Sequence, residues 1–455
     1  MVRLAMWQFR YTWMSWIGAL IIFLASGFVI GFTIIGVDST IKAKLNYGNF
    51  NPVGLFLTPA IFGLITLTLL INGITRLVIN KFKNDYDLWS LLGANSIQLS
   101  VMISIQMGLT GMIGGLLGYF MAYPIVNIFY NWIRTNPGMT EFPEFNMRLH
   151  YESLILSVMI LSILIGITGF ISGEKVFLNM NKRHKIINEL YLFSHFIWTI
   201  VIYGGLIYVY SLFFKSPRKI IKLLGDQTIE NTYLQILLIL AILMIIAMNE
   251  IERVILPMFV KVLQYWIPTK LMKTFQTAYW NVLEKKEFLR TLTLPSFIFS
   301  LVSSFFMYLA FDLANISNKR SLSEIFGTLL LFLGAPFLII LANTISLTII
   351  SSSERSSNIS QLSIIGFSVK DLLFEKIGEA SIYGSIIFIQ GTIGNALLYV
   401  PIMQASYYTH TQMKDGWLSI TWIPATVGIL AFLFIFLVDG IYVYKNYAFK
   451  QTIDI

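Results

Sequence analysis

Two polar side chains set inside apolar stretches are where this chain's chemistry starts. Gln106 and Glu379 each stand thirteen residues after a glycine, Gly93 and Gly366. Each glycine closes a similar turn. The first reads Asp87-Leu-Trp-Ser-Leu-Leu-Gly-Ala-Asn-Ser-Ile-Gln and the second Ser360-Gln-Leu-Ser-Ile-Ile-Gly-Phe-Ser-Val-Lys-Asp. A buried amide or carboxylate is costly in hydrocarbon, so two at matched spacing mark work done inside the membrane. For Glu379 that work is either pairing with a cation on another helix or capping a neighbouring helix end. Lys376, three residues earlier on the same helix face, is a nearer partner. Asp439 is similar but lies near the inner end of the last apolar run, where it is expected to reach water. Asn72 and Asn343 suit interhelical hydrogen bonds, each worth about 0.6 kcal/mol.

Other chemistries are excluded. The chain has no cysteine, which removes disulfides, thiolate metal sites and cysteine nucleophiles. His150, His184, His195 and His410 are scattered without ligand spacing, so no protein-held metal is expected. No His, Asp or Glu set clusters on one face, and a membrane enzyme is therefore disfavoured. No G-x-x-x-x-G-K-[ST] occurs, so ATP phosphates have no cradle in this chain.

The elements that must hold these side chains are membrane helices. Hydrophobic residues make up 56% of 455 and charged residues 12%, with mean hydropathy +0.73. That balance makes the bilayer the main solvent. The net charge of +9 fits basic loops beside apolar spans better than nucleic acid. Ten spans are expected at 13–37, 55–79, 98–127, 153–173, 192–214, 233–255, 293–313, 327–351, 376–401 and 420–443. The run from Trp13 is long for a cleavable signal peptide and reads as an uncleaved first helix. With both termini cytosolic, 21 of the 32 Lys and Arg fall inside. The basic loop at 215–222 dissents.

The spans group 4 + 2 + 4: a first repeat over 1–190, a two-helix linker over 191–262 and a second repeat over 263–455. Both repeats start from the same side, so they are parallel. Each opens with a basic, aromatic amphipathic segment, Arg3 to Arg10 and Phe275 to Arg290, suited to the interface plane as lever or anchor. Aromatics such as Trp13, Trp16, Tyr119, Tyr123, Trp132, Trp417 and Trp422 sit at span ends and read as interface belts. In the third span, Gly111-x-x-x-Gly115 and Gly114-x-x-x-Gly118 let helix backbones approach closely, within or between the halves. Gly27/Gly31 and Gly169/Gly173 repeat the spacing. No loop is long enough for a sizeable extracellular domain.

The pattern resembles the FtsX-like, or MacB-like, permease family of ABC transporters. Leu92-Gly93-Ala94, Gln106 and the four glycines of the third span carry the likeness in the first half. Ile365-Gly366-Phe367, Glu379, Gly384, Gly391 and Gly394 carry it in the second, and Leu4 to Arg10 is similar to the family's usual start. Gln106 stands where the family has an acid, and the large extracellular domain of macrolide- and bacitracin-type relatives is missing. The resemblance implies a non-catalytic permease subunit in the plasma membrane that works with a separate cytosolic ATPase, in two copies, which binds the ATP and Mg. The turns at 85–93 and 358–366 would be its docking elements, through Asp87, Trp89, Leu91, Leu92 and Gly93 and through Leu362, Ile364, Ile365 and Gly366. Asp85, Glu354 and Arg355 would flank them. Cargo would be an amphipathic peptide, such as a bacteriocin, or a lipid-like molecule, with antimicrobial-peptide resistance or immunity as the role. The alternatives are an ion-gradient-driven secondary transporter and a mechanotransmitting membrane scaffold. The Ile-, Lys- and Asn-rich usage points to a low-GC Gram-positive bacterium.

Overall fold

The computed structural model describes residues 2–43, 53–135, 145–180, 185–215, 229–266, 273–316, 322–409 and 418–451. Regular structure among them is helical, without strands. Chain order gives α1 (Val2–Thr12), α2 (Ile17–Lys42), α3 (Val53–Lys81), α4 (Lys83–Leu91), α5 (Ser96–Arg134) and α6 (Tyr151–Met180). There follow α7 (Lys185–Leu212), α8 (Ile229–Trp266), α9 (Lys273–Glu284) and α10 (Lys286–Ile316). The last four are α11 (Leu322–Ile350), α12 (Ser352–Ile364), α13 (Val369–Thr409) and α14 (Leu418–Gln451).

Nine helical stretches among the described residues are long and apolar enough to cross a membrane, which makes this an all-α polytopic membrane protein. The expected span at 192–214 falls on α7, whose apolar stretch, Phe196–Leu212, is shorter than the other nine. Beyond Lys215, the basic segment at 215–222 lies outside the described residues, as do the side chains of Glu354 and Arg355.

The chain packs into two compact units that do not follow sequence halves. Unit 1 is Met1–Lys185 with Arg320–Ser353, and unit 2 is Ile186–Lys319 with Glu354–Ile455. Thus α11, the second span of the later half, belongs with α1 to α6, while α7 and α8 belong with the later helices. The reason is visible in unit 1's core. Ala335, Ile339, Ala342 and Ile350 of α11 join Ile22, Phe23, Leu70, Ile71, Met107 and Ile165 in one buried cluster. In lipid such helices associate by close packing and not by escape from water.

The glycines of α5 show how close. Gly114 and Gly118 face α2, where a Cβ on Gly118 would fall 2.4 Å from the Phe28 nitrogen and 2.5 Å from the Leu24 carbonyl oxygen. Gly111 and Gly115 face α6, with Ile165 and Leu161 as nearest side chains. The two staggered glycine pairs therefore seat α5 between α2 and α6, all within the first repeat as drawn from sequence. In unit 2, α13 meets α14 at Gly384 and Gly428 and meets α10 at Gly391 and Gly394, where Ser300 and Phe297 are close.

Two of the aromatics read as interface belts are interior instead. Trp16 is buried and stacks on Phe82 at 6.3 Å, and Tyr119 is buried with its hydroxyl 2.6 Å from Ser153 Oγ. Trp13 and Trp422 are exposed.

Candidate functional site

The two glycine turns are built the same way. In unit 1, the Gly93 N–H donates to the Ser90 carbonyl (3.0 Å) and the Ala94 N–H reaches back to Trp89 (3.0 Å). In unit 2, Gly366 donates to Ser363 (3.2 Å) and Phe367 to Leu362 (3.1 Å). These paired bonds end α4 and α12 in the Schellman pattern, which needs a left-handed residue just past the helix. Gly93 and Gly366 supply it, with φ of +95° and +99°.

Two residues later a new helix starts, and both starts are capped. The Asn95 N–H donates to Gln98 Oε1 at 3.1 Å at the head of α5. At the head of α13, the Ser368 N–H donates to Asp371 Oδ2 (3.0 Å) and the Asp371 N–H returns to Ser368 Oγ (3.3 Å). The reciprocal capping box fixes where each long helix begins and hence which face Gln106 and Glu379 occupy.

Each turn exposes adjacent large aliphatic side chains. Leu91 and Leu92 are 85% and 81% exposed, and Ile364 and Ile365 are 78% and 75% exposed. Asp87 is exposed beside the first pair. Trp89 and Leu362, expected to be part of the same contact surface, are half-buried and pack on the unit cores, so they anchor the turns from beneath. Trp89 also borders a shallow hollow with Arg3, Trp7 and Tyr11 of α1. Tyr86, on the inward side of α4, is buried between Phe82 and Phe177, and that burial holds its hydroxyl pKa above the usual tyrosine value.

The polar residues that follow each turn hold the amphipathic lead-in helices. Gln106 is buried, and its Nε2 donates to the Ala5 carbonyl (3.3 Å) and to Gln8 Oε1 (3.0 Å), both on α1. In unit 2 the equivalent bond comes from a residue that sequence reading passed over. Asn281 Nδ2 of α9 donates to Glu375 Oε1 at 2.7 Å. Ala278 and Phe275 of α9 close over Gly378 one turn on.

Glu379 and Lys376 do meet, at 3.1 Å, and Glu375 makes the pair a triad with Lys376 Nζ 3.0 Å from its Oε2. All three are buried. The i, i+3 spacing brings Glu379 onto the Lys376 face, and Glu375 shares the i, i+4 face with Glu379. Spacing alone could have flagged Glu375, which lies four residues before Glu379.

A second buried network joins three helices of unit 2. Glu252 of α8 accepts from Thr293 (2.8 Å) and Gln390 (3.3 Å), and Arg290 Nε lies 3.6 Å from its other oxygen. Arg290 in turn donates to the Asn249 carbonyl (2.8 Å) and side chain (2.9 Å). From sequence, Arg290 closes the second amphipathic segment, and Glu252 falls unremarked inside the expected span at 233–255. The missed signal is that Glu252 lies within the apolar stretch of α8, Gln235–Glu252.

The remaining expected residues are placed as follows. Asn72 accepts a short hydrogen bond from Ser172, an α3–α6 link. Asn343 is buried in α11. Asp439, expected to reach water, is buried in α14 because its helix face packs inward. Among the described residues no three His, Asp or Glu side chains converge as a metal site requires. No protein-family model, no curated protein and no solved structure matches this chain.

Proposed function

We propose that the chain is the permease subunit of an ABC-type transporter, coupling ATP hydrolysis in a separate cytosolic ATPase to extrusion of an amphipathic peptide or lipid-like molecule. The observation that carries this reading is the pair of turns. Each is fixed by a Schellman cap and a capping box, and each presents two bare aliphatic side chains at the tip. Compact apolar knobs on a short helix are what a groove in a partner recognises. A partner must also bring the nucleotide, since this sequence has no phosphate loop. In this reading both turns face the cytosol of a low-GC Gram-positive cell, one per ATPase copy, and the two halves are parallel repeats. ATPase closure would move the turns, and the long helices behind them would carry the motion.

The test is a mild-detergent pull-down of the tagged chain from its native membrane, with mass spectrometry of what accompanies it. A stoichiometric soluble ATPase is expected, lost when Leu91, Leu92, Ile364 and Ile365 become Ser. Recovery of the chain alone would overturn the reading.

A second reading, an ion-gradient-driven transporter, is favoured by one observation. Unit 2 buries two carboxylate networks, Glu375–Lys376–Glu379 and Glu252–Arg290, and intramembrane ionisable groups often serve ion pathways. Uptake or release by the reconstituted chain under an imposed ion gradient, without ATP, would select it.

A further inference from the structure

Unit 2 contains an apolar cavity of about 590 Å³ among α7, α8, α10 and α13, within the range of small-molecule sites. Ile207, Tyr210, Met248, Ile251 and Leu397 form much of its wall, and Ile207 and Leu397 are exposed at its rim. Its hydroxyl-bearing walls are largely satisfied from within. Tyr203 donates to the Ala247 carbonyl at 2.8 Å and Ser211 to the Tyr208 carbonyl at 2.7 Å.

Gln390, which also lines the cavity, differs. Its residue is fully buried and its Nε2 is committed to Glu252. Glu252 Oε1 accepts from Thr293 as well, and its other oxygen faces Arg290, so the carboxylate needs donors and turns the amide nitrogen toward itself. That orientation leaves Gln390 Oε1 buried without a hydrogen-bond donor among the described residues. An unmet acceptor in an apolar wall is rare enough to require a reason. In lipid no water supplies the missing donor.

We infer that this cavity binds a single-chain lipid-like amphiphile, whose alkyl part lies against α7 and α8 and whose hydroxyl or amide N–H donates to Gln390 Oε1. The size favours one slender chain over a folded peptide, and the orphan acceptor favours a headgroup with a donor over a bare hydrocarbon. The inference rests on the transport reading for the ligand's role as cargo, but the binding belongs to this chain alone.

The experiment uses the full chain purified in detergent with no ATPase present. The probes are a long-chain N-acyl ethanolamine bearing a diazirine on its alkyl chain and the matching methyl ester, which has no donor. Mass spectrometry locates the adducts. The amide probe is expected to label the α7 and α8 walls saturably, with the ester roughly tenfold weaker. Gln390→Leu should abolish that preference, and Ile207→Trp, at an exposed rim position that leaves the fold alone, should block both probes. Labelling that never saturates, or that survives Ile207→Trp, overturns the proposal. So does equal affinity for amide and ester in the wild-type chain, which would make the cavity a plain apolar crevice. Displacement by a hydrophobic peptide but not by unlabelled N-acyl ethanolamine also overturns it. Saturable, donor-dependent binding by a chain that recruits no ATPase would sink the transport reading and leave the site standing.

Discussion

Replacing Lys376 by Met should be among the most damaging single changes to this fold. Lys376 Nζ lies 3.0 Å from Glu375 and 3.1 Å from Glu379, with all three side chains out of solvent. At an effective dielectric constant near 20, a unit pair 3 Å apart attracts by roughly 5 kcal/mol, so one ammonium offsets much of the cost of burying two carboxylates. Met leaves two adjacent acids, one of them also holding Asn281. Breaking a buried pair in this way costs about 3–5 kcal/mol. The triple change Glu375→Gln, Lys376→Met, Glu379→Gln removes every charge at similar volume and should stay within about 1–2 kcal/mol of the parent. The assay is reversible SDS-induced unfolding in mixed micelles, followed by tryptophan fluorescence. A Lys376→Met chain as stable as the parent would refute the reasoning, as would a triple variant no better than the single. The triple variant also separates two roles for Glu379. Under the proposed transport reading, a folded triple variant that still stimulates an ATPase makes the triad structural, and one that does not gives Glu379 a part in coupling.

Other outcomes follow from single sites. Gly118→Ala places a Cβ 2.4 Å from the backbone of α2 and should cost about 1–3 kcal/mol, whereas Gly108→Ala on the same helix meets nothing nearer than 3.7 Å and should be neutral by the same unfolding assay. Gly93→Ala and Gly366→Ala meet no neighbour but force a side chain into the left-handed region, costing about 1 kcal/mol each and loosening the turn, which faster amide exchange at residues 90–94 and 363–367 would report. Tyr86 has its hydroxyl held above the usual value by burial, so the unfolded chain ionises first. Stability should be intact below about pH 10 and fall by up to about 1.4 kcal/mol per unit above it. Tyr86→Phe should flatten that alkaline limb without loss at neutral pH, because the hydroxyl has no hydrogen-bond partner among the described residues.

Much of the local structure was legible because its causes are local. The repeated glycine turn was read, and both copies fold alike; the capped start that Asn or Ser followed three residues on by Gln or Asp spells out went unread. Apolar runs of about 20 residues likewise gave nearly every membrane helix. Long-range choices were not legible. Nothing in the α11 sequence says that it packs with α2 and α3, since its apolar face suits any helix in lipid. The glycine spacing of α5 foretold close contact but not the partner on each side. The Glu252–Arg290 pair went unread because pairing across three helices leaves no periodic mark.

The matched polar residues take their meaning from what they grip. Gln106 lies about 15 Å up α5 from its capped start, at 1.5 Å per residue, and ties that helix to α1. In unit 2 the tie to α9 runs through Glu375, with Glu379 engaged by Lys376. Each long helix therefore carries an exposed apolar tip at one end and a clasp on an amphipathic helix two or three turns further along. Gln106→Leu breaks the clasp while keeping the volume and adds no charge. It should release α1, seen as trypsin cleavage after Arg3 and Arg10 at least several-fold faster than in the parent, with the unfolding free energy lowered by no more than about 1 kcal/mol. Unchanged cleavage would mean that α1 is held by Ala5 and Trp16 packing alone, and that the glutamine serves only to fill its own hydrogen bonds.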